Sequence, residues 1–270
     1  MSPIEQSIKA KIEKIGTPLK DWDINIYRGV LTGFNDAFII SGEKRDEILA
    51  NCKNEIERKK TAELIRPILR GRDIKRYEYN FADLYLINTH NGVKEKNIPR
   101  IDIKDYPAIK KHLDEYWEKI EKRADQGDTP YNLRNCAYMD DFNKPKIIFQ
   151  EIVQESQFML DLDGKFMCND TCRIITGDSI KYLAGILNSK LFFFAVKHFY
   201  GGGGLGESGV RMKHTFFENF CCTAENIEIA NLVDSISKKN NQSMVEHEID
   251  RKVYELYGLN NDEIDYIEEN

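Results

Sequence analysis

The residues best suited to chemistry lie in one short basic segment. Five cations fall between Arg66 and Arg76, among apolar side chains and interrupted by Pro67 and Gly71. A solvated helix face needs neither proline nor glycine there, whereas a loop or strand edge that presents arginine to phosphates or base edges can use both. The segment therefore predicts contact with a nucleic acid, and its candidate contact residues are Arg70, Arg72, Lys75 and Arg76.

A second basic group follows a glycine-rich stretch. The run from Gly201 to Gly206 matches the dinucleotide pattern GxGxxG, but a predicted helix precedes it, and Glu207 stands where a phosphate-binding loop has lysine. Glycines still allow the backbone to approach a polyanion closely. Arg211 and Lys213 follow at once and are candidates for groove or phosphate contact. The alternative interpretation is a flexible surface connection.

Two acidic patterns match the metal site of nucleases by residue type alone. Asp46 precedes Glu57-Arg-Lys59 in a charged predicted helix, and Asp161-Leu-Asp163-Gly-Lys165 lies in a predicted turn. Short charged patterns recur by chance, so we assign no metal ligand and no catalytic residue. A metal-dependent DNA endonuclease that uses Asp163 and Lys165 stays open as an alternative.

Charge is distributed unevenly along the 270 residues. The formal net charge of −6 argues against a strongly basic nucleic-acid binder. Residues 58–76, however, carry a net +6 and residues 245–270 a net −7, which is compatible with one DNA-facing surface and an acidic tail. The six cysteines form no CxxC pair, and no apolar run reaches the length of a membrane span. We therefore expect reduced thiols and a cytoplasmic location.

The elements that must position these residues follow from periodicity and turn residues. Strands and helices alternate without a regular βαβ rhythm, which predicts an α+β fold with a helical C-terminus. The predicted elements around the candidate residues are two strands over 22–40 with a turn at Asn35-Asp36, a helix over 43–64 capped by Ser41, a loop over 66–77, strands over 146–153 and 157–162, a hairpin turn at Asp163-Gly164, a helix over 179–199, and a helical pair over 227–240 and 244–256.

Several segments, taken in order, resemble the TaqI-like C-terminal target-recognition (specificity) domain of N6-adenine DNA methyltransferases and type IIG restriction–modification enzymes. The resemblance extends along nearly the whole chain. Its matching segments are Ile26–Ile40, which contains Arg-Gly-Val-Leu-Thr-Gly, Arg66–Tyr77, Glu121–Gly127, Tyr131–Arg134, Pro145–Ile148, Asn169–Thr171, Leu183–Ser189 and Glu248–Ile264.

The resemblance implies a fold and a function. The fold would be a compact α+β recognition lobe over 1–225, with irregular, curved β-structure, followed by a C-terminal helical hairpin and tail over 226–270. The function would be sequence-specific recognition of double-stranded DNA for a restriction–modification enzyme. In the family a methyltransferase domain precedes this region, and the chain starts almost where that domain would end. We therefore expect no enzymatic activity from this chain alone.

The resemblance also implies partners and narrows the candidate residues. S-adenosylmethionine is expected in the methyltransferase part, with no cofactor in this chain and no membrane partner. Thr32 and Asn35, on a glycine-bounded turn, are candidates for shaping a DNA-facing loop. Arg70 and Asp73 could instead pair within the domain. A further alternative is a protein-interaction subunit whose helical C-terminus docks on a separate methyltransferase chain.

Overall fold

A computed structural model describes residues 1–236 and 242–270. Over these ranges the α-helices are α1 (Pro3–Lys14), α2 (Asn35–Phe38), α3 (Gly42–Ala50), α4 (Glu55–Leu64), α5 (Pro107–Asp114), α6 (Trp117–Ile120), α7 (Ile180–Leu187), α8 (Lys190–His198), α9 (His214–Phe217), α10 (Ile227–Ile236), α11 (Gln242–Leu256) and α12 (Asn261–Glu269). The strands are β1 (Thr17–Pro18), β2 (Ile24–Arg28), β3 (Ile39–Ser41), β4 (Ile65–Leu69), β5 (Leu84–Ile87), β6 (Lys146–Gln150), β7 (Ile152–Val153), β8 (Phe158–Asp161), β9 (Met167–Cys168), β10 (Cys172–Gly177), β11 (Val210–Arg211) and β12 (Cys221–Cys222).

A four-stranded antiparallel sheet in the order β2-β10-β6-β8 lies at the centre of the fold. Because side chains alternate between the two faces of a strand, consecutive apolar residues supply two different cores. On β6, Ile147 and Phe149 enter the first core and Ile148 enters the second. The sheet is thus covered on both faces, which explains why its strands read as continuous apolar runs.

The second core is closed by another four-stranded sheet, in the order β3-β5-β4-β9. Its strands are antiparallel except for β4 and β9, which run parallel through the pairs Ile68–Met167 and Leu69–Cys168. Strand β9 therefore ties the segment after the central sheet back to the basic segment. Two short ladders, β1 with β12 and β7 with β11, complete the β-structure that the described residues form.

The C-terminal helices share the first core with the rest of the chain. Ile229 and Val233 of α10 and Ile249 and Val253 of α11 are buried in the same cluster as Ile8 of α1. A helical C-terminus was predicted, and α10 and α11 pack against each other. The part of the predicted helix at 237–240 lies outside the described residues. The predicted boundary between a recognition lobe over 1–225 and a helical hairpin over 226–270 stays a prediction.

Two long predicted helices are each interrupted by a polar cap. The helix predicted over 43–64 is two helices, because Asn54 caps α4 by accepting the amide of Glu57 at 2.9 Å. Ser41 caps α3, as predicted. The helix predicted over 179–199 is likewise two, because Ser189 caps α8. Charged or apolar periodicity continues across such breaks, so it does not reveal them.

Three predictions about the strands and turns were wrong. The segment over 66–77 is not all loop, since its first residues belong to β4 within a sheet. The turn at Asp163-Gly164 does not lead into a hairpin, because β9 pairs with β4 rather than with β8. Of the two strands predicted over 22–40, the second is confined to β3, and the turn predicted at Asn35-Asp36 is the start of the helical turn α2.

None of the helices in the described ranges is long and apolar enough to span a membrane.

Candidate nucleic-acid interface

Three loops meet at one end of the central sheet, and two glycines let their backbones touch. The amide of Gly29 donates to the carbonyl of Cys172 at 2.9 Å. A Cβ on Gly29 would lie only 1.9 Å from the carbonyl oxygen of Asn169. Gly71, between Arg70 and Arg72, lies against Thr171, whose hydroxyl oxygen accepts its amide at 2.8 Å.

Side-chain hydrogen bonds fix the loop from Asn169 to Thr171. The Thr171 hydroxyl donates to Asn169 Oδ1 at 2.6 Å while it accepts the Gly71 amide. The motif segments Ile26–Ile40, Arg66–Tyr77 and Asn169–Thr171 are therefore joined in one place. The glycines in these motifs are explained by close backbone approach, so they shape this end of the sheet and read no base themselves.

The short β7–β11 ladder brings the second basic group to the same end. Arg211 pairs with Ile152, and the Met212 amide donates to the Glu151 carbonyl at 2.6 Å. Glu151 and Ile152 directly follow Gln150, the last residue of β6. Gly71 lies against the side chain of Gln150, since a Cβ on Gly71 would be 3.0 Å from Gln150 Oε1. Residues far apart in sequence thus lie around one end of β6.

Six cations lie around this end of the sheet, and we call them the basic face. Arg28 and Arg173 are directly opposite each other on β2 and β10. Arg28 also lines a cleft with Arg134. The basic face consists of Arg28, Arg72, Arg134, Arg173, Arg211 and Lys213.

Three arginines of the basic face are paired with carboxylates. Arg28 lies 3.8 Å from Asp170, Arg134 lies 3.0 Å from Asp125, and Arg173 contacts Glu151 through its Nε. Such pairs orient a guanidinium while leaving other N–H groups available.

The other three cations are exposed. Arg72, Arg211 and Lys213 form no ion pair with a carboxylate among the residues that the structure describes, although the adjacent Asp73 carboxylate, which is held by Arg70, interacts electrostatically with Arg72. They give this end of the sheet its excess of positive charge. Burial lowers the pKa of the neighbouring His214, and the cations Arg173 and Lys213 lower it further. That imidazole is therefore neutral at neutral pH and adds no charge.

Arg70 and Arg76, two of the predicted contacts, are engaged within the fold. Arg70 makes a bidentate pair with Asp73, at 2.9 and 2.8 Å, as the alternative interpretation anticipated. Arg76 lies 3.3 Å from Glu155 and 3.5 Å from Glu246.

Arg66 and the two remaining predicted residues differ in exposure. Arg66 donates to Asn143 Oδ1 at 2.6 Å and to the Gly164 carbonyl at 2.9 Å. Lys75 is half-buried and Arg72 is exposed. Arg72 is therefore the residue of the basic segment best placed to meet a ligand.

Thr32 and Asn35 stabilise a turn through their side chains, with Thr32 buried and Asn35 exposed. Thr32 is 2% exposed, and its hydroxyl donates to Asn35 Oδ1 at 2.6 Å. Its carbonyl accepts the Nε–H of buried Arg123 at 2.9 Å. The turn borders the basic face, because Gly33 packs on Asp125, the partner of Arg134.

Arg123 is a buried cation that binds backbone carbonyls. Its guanidinium donates to the carbonyls of Ile120, Pro130 and Asn132 and lies 4.5 Å above the Phe38 ring. Burial lowers the pKa of Arg123 to about 10. The planar fork satisfies several loops at once, which a lysine could not do.

Sequence reasoning missed three arginines of the basic face. Arg28 is more than a hundred positions from Arg134 and Arg173 in sequence, and none of the three stands in a basic run. A signal existed for two of them. Arg28 precedes the first motif glycine, and Arg134 ends the segment Tyr131–Arg134.

Of the second acidic pattern, Asp161 has a structural role, whereas Asp163 and Lys165 lie at the surface. Asp161 is buried and pairs with buried Lys146 at 2.6 Å, while it also accepts the amides of Lys165 and Phe166. Asp163 and Lys165 are exposed in the turn. The described residues contain no group of three or more His, Cys, Asp or Glu side chains that could hold a metal ion.

The glycine-rich stretch is partly a packing device. A Cβ on Gly202 would lie 2.6 Å from Val196 Cγ1, and one on Gly203 would lie 2.5 Å from the Lys197 carbonyl. Gly204 and Gly206 have open space around them and left-handed backbone. Of these glycines, Gly204 and Gly206 therefore have room for their backbone to adjust to a bound ligand.

Known proteins resemble this chain in sequence profile and in fold. The family profile described as the TaqI-like C-terminal specificity domain matches residues 66–203. The fold is similar to that of the type IIL restriction–modification enzyme MmeI in complex with DNA, with a TM-score of 0.62 and 14% identity, covering 93% of this chain and 35% of that one. It is also similar to the type IIG restriction endonuclease BpuSI, with a TM-score of 0.54 and 13% identity, covering 94% and 32%.

This chain thus spans about a third of the length of both enzymes. No match was found among curated proteins. The matched segment of 138 residues is just over half of the chain, and it contains the loop after β4 that carries Arg72 and the strand β10 that carries Arg173. The mixed helix-and-sheet fold and the profile agree, and the chain belongs to the TaqI-like C-terminal specificity domain family of restriction–modification enzymes.

Proposed function

We propose that this chain is the sequence-specific DNA-recognition module of a restriction–modification enzyme and that the basic face contacts double-stranded DNA. The observation that carries the proposal is the convergence of Arg72, Arg211 and Lys213, which are exposed and form no ion pair with a carboxylate in the described residues, on one end of the central sheet. Free cations on one face are the electrostatic footprint of a phosphate-binding surface.

The chemistry of modification would belong to another part of the enzyme. The two similar solved enzymes are about three times as long as this chain, which leaves room for a methyltransferase part. S-adenosylmethionine would bind there, and the chain described here would supply register and sequence choice. Because one side of the clamp on the duplex is then absent, the isolated chain should bind DNA weakly. Its cytoplasmic location remains a prediction.

The first test removes the unpaired cations. Arg72→Ala combined with Arg211→Ala should lower affinity for duplex DNA about tenfold in low salt and reduce the slope of log K against log salt by about one unit per lost phosphate contact. Fluorescence anisotropy with a labelled duplex measures both quantities. The matched control is Lys14→Ala with Lys59→Ala, which removes two exposed cations elsewhere. Unchanged affinity in the first pair would exclude the basic face as the DNA surface.

The paired arginines should act on sequence choice more than on affinity. A guanidinium held by a carboxylate keeps its remaining N–H groups in a fixed direction, which suits bidentate contact with guanine. Arg28→Lys and Arg134→Lys keep the charge but lose the fork. We expect an almost unchanged salt slope and a changed preference when duplexes are selected from a random pool. Identical selected sequences would argue that these arginines only support the fold.

A further inference from the structure

A second surface lies near the other end of the central sheet. β6 ends in the basic face at Gln150 and begins at Lys146, which pairs with Asp161 at the end of β8. Beside the outer edge of β8 is an open groove with a volume of about 770 Å³. Its walls are half apolar and half polar in surface, and the apolar side chains include Tyr79, Phe81, Leu160, Leu162, Phe166 and Val233.

The outer edge of β8 is only partly used. The Phe158 amide donates to Asn188 Oδ1 at 2.9 Å, and its carbonyl accepts the Tyr77 amide at 3.1 Å. Both groups of Phe158 therefore point away from β6. Because backbone direction alternates along a strand, the N–H and C=O of Leu160 point the same way, into the groove. No partner for them is found in the described part of the chain.

One wall of the groove is a rigid group of exposed aromatic rings. Tyr79 and Phe81 are 39% and 38% exposed, and both pack edge-on against buried Phe166, with ring centroids 4.6 and 5.8 Å apart. Leu162, 40% exposed, adds a further apolar side chain. Contiguous exposed apolar surface next to an open strand edge is typical of a peptide-binding site.

Charge at the rim specifies the peptide further. The carboxylates of Glu78 and Asp163 are exposed and have no ion-pair partner among the described residues. Lys165, the neighbouring cation, lies 5.0 Å from the Phe166 ring. An apolar floor with an acidic rim complements apolar residues that alternate with basic ones.

We propose that the groove binds an extended segment of a partner polypeptide, in which apolar and basic residues alternate, by adding it as a strand to β8 through Leu160. The strand would contribute two backbone hydrogen bonds, and its apolar side chains would contact Tyr79 and Phe81. This site is separate from the basic face and does not depend on DNA binding.

The test uses a fluorescein-labelled peptide of alternating lysine and valine and the 270-residue protein. Saturable binding is expected, and a peptide of the same composition with its lysines in one block should bind at least about fivefold more weakly. The second peptide controls for simple attraction between a cationic peptide and an acidic protein. Equal binding of both peptides would overturn the proposal, as would no saturable binding of the first.

Leu160→Pro removes the outward N–H, and proline is tolerated at such an edge position. Peptide affinity should fall about fivefold to tenfold, whereas Leu160→Val, which keeps the N–H, should change it little. Circular dichroism confirms that the proline variant is folded. Unchanged affinity in a folded Leu160→Pro protein would exclude strand addition.

Two further variants keep the test decisive if the proline variant does not fold. Phe81→Ser should weaken the peptide severalfold, while Ile56→Ser, at a 79% exposed apolar residue outside the groove, should not. Asp163→Lys should weaken it about twofold to fivefold. No effect of either groove variant would overturn the proposal. Self-association of the protein that Leu160→Pro abolishes would assign the edge to a second copy and overturn it as well.

Discussion

At the scale of single residues, the contact that most requires both of its partners is the buried ion pair of Lys146 and Asp161. Their side chains are 0% and 4% exposed and lie 2.6 Å apart. Burial lowers the pKa of Lys146, while the adjacent Asp161 carboxylate opposes that shift. The remaining lone pairs of Asp161 accept the amides of Lys165 and Phe166, so both charges have hydrogen-bond partners. The pair joins the start of β6 to the end of β8.

Breaking this pair should be costly, whereas replacing both members should not be. Asp161→Ala leaves an unpaired buried ammonium, and we expect a loss of about 3–5 kcal/mol in the free energy of unfolding. Lys146→Met combined with Asp161→Leu should cost much less, although the two amides lose their acceptor. Urea denaturation of the three proteins measures both terms. A double variant as unstable as the single one would show that the amide contacts, not the charges, dominate.

The same residue scale shows what the sequence can and cannot predict. The composition of the basic segment indicated arginine-rich contacts, and the motif order indicated the family. The sequence could not separate Arg72 from Arg66 and Arg76, because their acceptors Asn143 and Glu246 are far away in the chain. Long-range pairing decides which cations stay free, and local pattern carries no information about it.

At the scale of elements, helices are capped across the fold as well as within their own segments. Asp250 of α11 accepts the amide of Lys190 at the first turn of α8, at 2.8 Å. A carboxylate at a helix N-terminus is stabilised by the aligned peptide dipoles and by the hydrogen bond. Burial opposes ionisation more strongly here and raises the pKa of Asp250 to about 6. Desolvation of the Asp250 carboxylate therefore shifts its pKa more than the favourable contact with the N-terminus of α8 does.

This raised pKa predicts how stability depends on pH. Between about pH 4 and pH 6 folded Asp250 holds a proton that the unfolded chain releases, so this contribution to stability falls as pH rises through that window. Asp250→Asn removes the titration and still offers an oxygen to Lys190. At pH 7 it should be about 2 kcal/mol more stable than the parent, and the difference should vanish below pH 4. Urea denaturation at both pH values tests this, and an equal pH dependence in both proteins would contradict it.

Element boundaries were harder to predict than element types. The inner strand β6 of the central sheet was predicted from its continuous apolar run, and the edge strand β2 from its apolar residues Ile24, Ile26 and Tyr27. The partner of β9 was not, because a parallel pairing with β4 depends on the second core and has no turn signature. The interruption at Ser189 is likewise tertiary, since Asn188 is used to hold Phe158.

At the scale of the whole molecule, one sheet separates two cores and carries different surfaces near its two ends. The basic face depends on the approach of three loops, and the two glycines at that approach tolerate change differently. A Cβ on Gly29 meets the Asn169 backbone at 1.9 Å, whereas a Cβ on Gly71 meets the end of the Gln150 side chain at 3.0 Å. Backbone cannot move aside without shifting the loop, but a glutamine side chain can.

Gly29→Ala should therefore destabilise the fold by about 3 kcal/mol or more, and Gly71→Ala by about 1 kcal/mol or less. Thermal or urea denaturation distinguishes them. Because Gly29 directly follows Arg28, the last residue of β2, its alanine variant should also displace Arg28 and lose DNA affinity. If the two variants lost the same free energy of unfolding, the loop after Asn169 would be more deformable than its hydrogen bonds indicate, which would contradict the prediction.

The close contacts that join the three loops are made by backbone atoms and by Thr171. The one ion pair between outward side chains there, Arg28 with Asp170 at 3.8 Å, lies at the surface, and such pairs contribute little to stability. The outward residues beside Gly29 and Gly71 are thus not required for the architecture to assemble. Such a scaffold can exchange these side chains one at a time while both interiors keep their packing. During evolution, related proteins can therefore keep this fold and its stability while the DNA sequence that they bind changes.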